Sequence, residues 1–168
     1  FYTFRDDALG REMARHLASR AEPGVRVHVL YDAIGSVGLP GAYIEDLRAS
    51  GVNILNFHTE RRSRSRFQVN FRNHRKIVVV DGQTGYVGGL NVGDEYMGRA
   101  PRFGYWRDTQ LRIDGPAVAE LQFAFAEDWL WASGEVLDLH WQPTRQAAER
   151  DVLILSSGPA DQLETGSL

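Results

Sequence analysis

The sequence predicts an α/β fold, a mixed central β-sheet flanked by helices on both faces, on three observations. Residues 25–57 run strand, helix, strand, the alternation that builds a sheet with helices packed on it. Two short apolar runs, Ile77-Val78-Val79-Val80 and Tyr86-Val87, flank Asp81-Gly82 and read as a β-hairpin. From Gly115-Pro116 onward, Val118, Leu121, Phe125 and Trp129 fall on one stripe, which predicts a helix with one buried face.

The elements follow in order. From Asp6 to Arg20, Ala8, Leu9, Met13, Leu17 and Ala18 recur at helical spacing, and Glu22-Pro23-Gly24 ends the segment. Val25 to Leu30 alternates as a half-buried strand, with His28 as an outward polar tooth. Tyr31 to Ser36 is a loop at that strand's carboxyl end, where open α/β sheets place ligands. Asp32 there either lines a pocket mouth or caps the loop. Leu39 to Ala49 predicts a second helix with Tyr43, Ile44 and Leu47 inside, and Val52 to Phe57 another strand. Residues 91–107 form a Gly-rich, aromatic loop, and Trp106 to Ile113 alternates as a strand. The helix after Gly115 has Phe123 and Leu130 beside its stripe, all read as core. His140 to Pro143 is a loop without recognisable chemistry, and Asp151 to Leu155 reads as the start of a fresh strand.

The 168 residues are 43% hydrophobic with a formal net charge of -3. That suits a single core burying about two-thirds of the unfolded surface and excludes a nucleic-acid coat or an acidic tail, so nucleic acid is not expected as a partner. The chain has no Cys, which rules out disulfides and thiolate metal sites. No apolar run approaches the length of a membrane span, and no signal sequence opens the chain. Both ends read as cut: the first residues start as if in mid-strand, and the last strand breaks off.

The chemistry concentrates at the hairpin. His74 and Lys76 are two residues apart, so on a strand they share a face and converge on one small anion. A phosphodiester fits: an imidazole near its ordinary pKa can attack phosphorus while an ammonium steadies the non-bridging oxygens. Asn91 adds a neutral donor, and Gly88-Gly89 lets backbone approach without a Cβ. Asp81 sits at the Asp-Gly turn and is read as structural. A histidine nucleophile also needs a carboxylate on its second nitrogen. Asp108 is the first choice and Glu95 the second, the alternative for Asp108 being an ion pair with Arg107 or Arg112. Arg61, Arg62, Arg64 and Arg66 crowd the segment before the motif. They read either as a solvated loop or, for Arg64 and Arg66 as substrate-binding residues, as a grip on anionic headgroups.

The run His74-x-Lys76-x4-Asp81-x6-Gly88-Gly89-x-Asn91 resembles the HxKxxxxD signature of the phospholipase D superfamily. The flanking blocks are similar to bacterial cardiolipin synthases: Phe4-Arg5-Asp6-Asp7, Leu30-Tyr31-Asp32-Ala33, Asn73-His74-Arg75-Lys76, Gly93-Asp94-Glu95-Tyr96, Tyr105-Trp106-Arg107-Asp108-Thr109, Asp128-Trp129 and Ser156-Ser157-Gly158-Pro159. The resemblance implies a catalytic domain over residues 1–150, with 151–168 a linker into a second, similar half, and membrane helices upstream in the parent chain. It implies a phosphatidyltransferase that joins two phosphatidylglycerol molecules into cardiolipin through a phosphohistidine, releasing glycerol, without metal or other cofactor, at a bacterial cell membrane. The second histidine would come from the other half, fused or supplied by a homodimer, and His74 is either nucleophile or acid. The alternatives are a homodimeric phosphodiesterase or nuclease and, of another class, a catalytically silent binding module.

Overall fold

The computed structural model describes residues 1–58, 72–144, 147 and 150–156. Its strands are β1 (His28–Tyr31), β2 (Asn53–Asn56), β3 (Ile77–Val80), β4 (Thr84–Gly88) and β5 (Gln110–Asp114), and its α-helices are α1 (Ala8–Ala21), α2 (Gly41–Ala49) and α3 (Val118–Ser133). β1 and β2 pair in parallel, with Val29 opposite Ile54 and Leu30 opposite Leu55, as the connection through α2 requires. β3, β4 and β5 form an antiparallel sheet in that order.

Helices cover both faces of the parallel pair, and alternation along β1 shows how. Val29 and Tyr31 join Phe4, Tyr43, Leu47, Ile54 and Val92 under α1 and α2. Leu30 turns the other way, to Phe57 and Ala132 with Leu55 and Phe125 beside them. Under the antiparallel sheet, Ile77, Val79, Val87 and Ile113 pack on Val118 and Leu121 of α3. The segment Phe1 to Arg5 ties the parallel pair to the chain just after β4. The Phe1 nitrogen donates to Leu30 O (2.8 Å) and the Asp32 amide to Phe1 O (3.1 Å), while Arg5 N and Val92 O, and Val92 N and Thr3 O, pair at 3.0 and 3.1 Å.

Several boundaries move from those predicted. β1 starts at His28 rather than Val25, because Val25 is exposed after the Pro23-Gly24 turn. His28 is not an outward tooth: its ring meets Trp129 edge-on at 4.9 Å, since α3 covers that face of the parallel pair. Phe123 and Leu130 are exposed rather than core, because α3 is covered on one side only. Residues 151–156 form no strand. Ile154 instead caps the cluster around Ile113.

The α1 terminus is built by two distant acids. The Asp7 side chain accepts from Gly10 N (2.9 Å) and from Asp94 N (2.6 Å). The Asp94 carboxylate in turn accepts from Ala8 N and Leu9 N, both at 3.1 Å. Together these satisfy donors that a helix start leaves unpaired. The hairpin turns through Asp81 (φ 52°) and Gly82 (φ 66°), and Gln83 N donates to Val80 O (3.0 Å), the mirror-image turn that suits strand twist.

Candidate active site

His74 and Lys76 lie in the irregular segment just before β3 rather than on the strand itself. What holds that segment is a pair of buried acids. Asp32, fully buried at the carboxyl end of β1, accepts from Ile34 N (2.8 Å) and Gly35 N (3.1 Å) through one oxygen. Its other oxygen takes Asn73 N (3.0 Å) and lies 3.0 Å from His58 Nε2. Asp128, on the buried face of α3, accepts from Asn73 Nδ2 (2.7 Å) and pairs with Arg75. Asn73 Oδ1 closes the loop on Arg75 N (3.1 Å). The residues on either side of His74 are thus tied inward, and His74 itself is left exposed.

The predicted pair meets. Lys76 Nζ is 2.9 Å from His74 Nδ1 and donates to His74 O at 2.7 Å, with Lys76 buried. Tyr2 lies against the imidazole, ring centroids 4.2 Å apart, and the ammonium stands 5.6 Å from the centre of the same ring. Partial desolvation of the imidazole and then the Lys76 charge lower the His74 pKa from its ordinary 6.5, against an opposing pull from Asp32. Burial lowers the Lys76 pKa as well, offset in part by Asp108. The imidazole is therefore neutral near pH 7. A charged ammonium only donates, so in this arrangement Nδ1 is the acceptor and the ring proton sits on Nε2.

The other predicted residues fall as follows. Asn91 is buried and its Oδ1 accepts from Thr3 N (3.0 Å), so the amide NH₂ is the side that can face an anion. Asp108 lies against Gly89, where a Cβ would overlap its carboxylate. Trp106 Nε1 donates to Asp108 at 3.4 Å and Thr109 N at 2.7 Å. Its charge reaches Lys76, and no hydrogen bond joins it to His74 among the described residues. Gly88 faces Thr109 and Gln110. The room left by both glycines is thus filled by the start of β5. Glu95 pairs with Arg5 at 3.6 Å. Arg112 pairs with Asp114 at 2.9 Å. Asp81 sits at the exposed hairpin tip, at the far end of β3 from His74. Arg64 and Arg66 lie outside the described residues. Among the described residues no three His, Asp or Glu side chains are grouped to hold a metal ion.

Sequence reasoning gave Asn73 and Asp128 no role beyond their place in the family blocks, passed over Tyr2, and left Asp32 between two roles. Asp32 is the loop cap and, through Asn73 N, also an anchor of the motif. Nothing in spacing links residues 2, 32, 73 and 128. The one available signal was a polar Asp128 on the apolar stripe of α3, where a carboxylate needs a partner.

A family profile described as cardiolipin synthase, PLD-like domain, matches residues 1–129. Over 168 residues the chain is 51% identical to cardiolipin synthase A of Pseudomonas fluorescens Pf-5 and to that of Pseudomonas aeruginosa LESB58. It is 54% identical over 170 residues to that of Pseudomonas syringae pv. syringae B728a. All of this chain is covered in each case, against 35%, 34% and 35% of those proteins. The chain thus spans about a third of the length of these relatives.

Proposed function

Because the chain belongs to the cardiolipin synthase family of phospholipase D-like domains, we propose that it supplies half of a site that transfers a phosphatidyl group between two phosphatidylglycerol molecules. The observation that carries the reading is an exposed imidazole whose Nδ1 lies 2.9 Å from a buried ammonium. A phosphodiester seated here offers a non-bridging oxygen to Lys76, which draws Nζ off Nδ1. The ring proton then moves to Nδ1, toward Asp108 as its carboxylate partner, and Nε2 gains the lone pair with which to attack. The N–P bond forms as the P–O bond to glycerol breaks, and a histidine from a second half protonates the departing alkoxide. The hydroxyl of a second phosphatidylglycerol gives its proton back to that histidine, bonds to phosphorus and releases His74, leaving cardiolipin. Asn91 NH₂ steadies the second non-bridging oxygen, Gly88 and Gly89 let the segment at Asp108 and Thr109 lie close, and Asp81 shapes the hairpin.

The relatives' length leaves room for a second phospholipase D-like half in the parent chain, with residues 1–150 as the first. The site then lies at a membrane surface, where its lipid substrates are. Among the described residues no helix is long and apolar enough to cross a bilayer.

His74→Asn in the full-length protein tests this reading. Cardiolipin and glycerol release from phosphatidylglycerol should fall by about 10³-fold or more, and the acid-labile phosphoenzyme should vanish from trapped turnovers. Undiminished turnover removes His74 from the reaction, and cleavage of DNA instead of lipid points to a nuclease.

A further inference from the structure

Residues 97–107, Met-Gly-Arg-Ala-Pro-Arg-Phe-Gly-Tyr-Trp-Arg, contain three arginines, four large apolar or aromatic side chains and no carboxylate. Met97, Phe103, Tyr105 and Trp106 are 51%, 49%, 88% and 37% exposed, and side chains of this kind are costly to leave together in water. The loop is nevertheless built. Gly98 N donates to Glu95 O, Arg99 N to Asp94 O, and Phe103 and Gly104 N to Ala100 O, at 3.0–3.3 Å. Trp106 meets Tyr96 edge-on at 5.0 Å and Phe103 at 6.4 Å, while the Arg102 guanidinium stands 5.6 Å from the centre of the Phe103 ring. Arg102 and Arg107 have no carboxylate partner among the described residues.

We infer that residues 97–107 are the surface by which this domain seats on an anionic bilayer. Aromatic rings with a polar edge settle at the headgroup level, and arginines beside them face lipid phosphates. Each basic side chain at a negatively charged surface strengthens partition about fivefold. The ends of the loop connect this surface to the rest of the molecule. Met97, with Tyr96, lines an apolar groove of about 270 Å³ that also takes in Leu9, Met13, Val78 and Tyr86. Trp106 reaches Asp108, whose charge acts on Lys76. A bilayer held here lies beside both an apolar furrow and the His74–Lys76 pair. The choice of bilayer rests on the lipid reading above, and its test needs no turnover.

The test uses the full-length protein with a fluorophore on a Tyr105→Cys side chain or, as a control outside the loop, on Val136→Cys; this chain brings no cysteine of its own. Vesicles of phosphatidylcholine, with or without phosphatidylserine, carry spin-labelled lipid. Quenching at position 105 should exceed that at 136, grow with phosphatidylserine and weaken in high salt. Arg102→Gln with Arg107→Gln should weaken the response about 25-fold. Equal quenching at both positions overturns the inference. So does protection of the position-105 label from aqueous iodide before lipid is added, which would mean that protein covers the loop. The Phe103→Ser, Arg102→Gln double variant should lose turnover on vesicles and keep it on a soluble short-chain diester. No turnover by the unsubstituted protein, with its quenching intact, counts against the transfer reading alone, whereas turnover on vesicles retained by the double variant, or quenching undiminished in it, overturns the docking surface.

Discussion

The His74 imidazole has its basicity cut by partial desolvation and by a neighbouring cation, so the pH profile carries information. The proposed attack needs neutral His74, so the acid limb of kcat/KM should lie below 6.5. On the alkaline side two protons are needed, that of the second half's histidine acid and that of Lys76, whose pKa burial lowers from 10.5, so the alkaline limb should fall below that value. Lys76→Met removes the cation and should move the His74 titration upward, as followed by its ring proton shifts in NMR. A His74 titration unchanged by Lys76→Met would mean that the two side chains do not interact in solution. Asp128 makes a different kind of contribution, since it touches Asn73 and Arg75 and not the imidazole. Asp128→Ala strands both partners, at a cost of about 1–3 kcal/mol in urea unfolding. It should also lower kcat more than it raises KM, because the misplaced segment carries the proposed nucleophile.

At the scale of single elements, α1 and the β3–β4 hairpin rest on side chains that the fold uses for geometry. Asp94→Ala and Asp7→Ala should each destabilise by about 1–2 kcal/mol, with the double variant costing less than the sum, because each acid helps position the other. Asp81 has a left-handed backbone. Asp81→Asn should therefore keep stability and activity, while Asp81→Val should cost about 1–2 kcal/mol of stability. Helix positions were legible because their periodicity spans many residues: α1, α2 and α3 start within two or three residues of where the pattern placed them. Strand edges were not. β1 is only four residues long and buried on both faces, so alternation carried no direction for His28. The segment at His74 reads as strand by its neighbours, yet its backbone is drawn aside by Asp32 and Asp128, acids that no local pattern associates with it.

For the molecule as a whole, two histidines bind protons less readily folded than unfolded: His28, by burial and then Arg26, and His74. Between their lowered values and 6.5 the unfolded chain holds more protons, so stability rises with pH across that window and is lost as pH falls through it. The urea midpoint should drop from about pH 7 to about pH 5, and His28→Phe should flatten the slope without abolishing it. The contact between His74 and Lys76 was legible because only one residue separates them, although they lie before β3 and not on it. The cradle around it joins residues 2, 32, 73 and 128, a relation that exists only in three dimensions.

The strip from Phe1 to Arg5 hydrogen-bonds to β1 on one side and to residues 91–92 on the other. During synthesis it is made before β1, yet its second neighbour is made some ninety residues later, and the cap that Asp94 supplies to α1 arrives later still. Local pieces such as the hairpin can form quickly, whereas closures of this span are slow. A nascent chain halted before Val92 would carry His74 and Lys76 without a seated Tyr2. Slow-exchanging amides should therefore appear at Thr84 to Gly88 before they appear at Arg5, in ribosome-bound intermediates as in refolding.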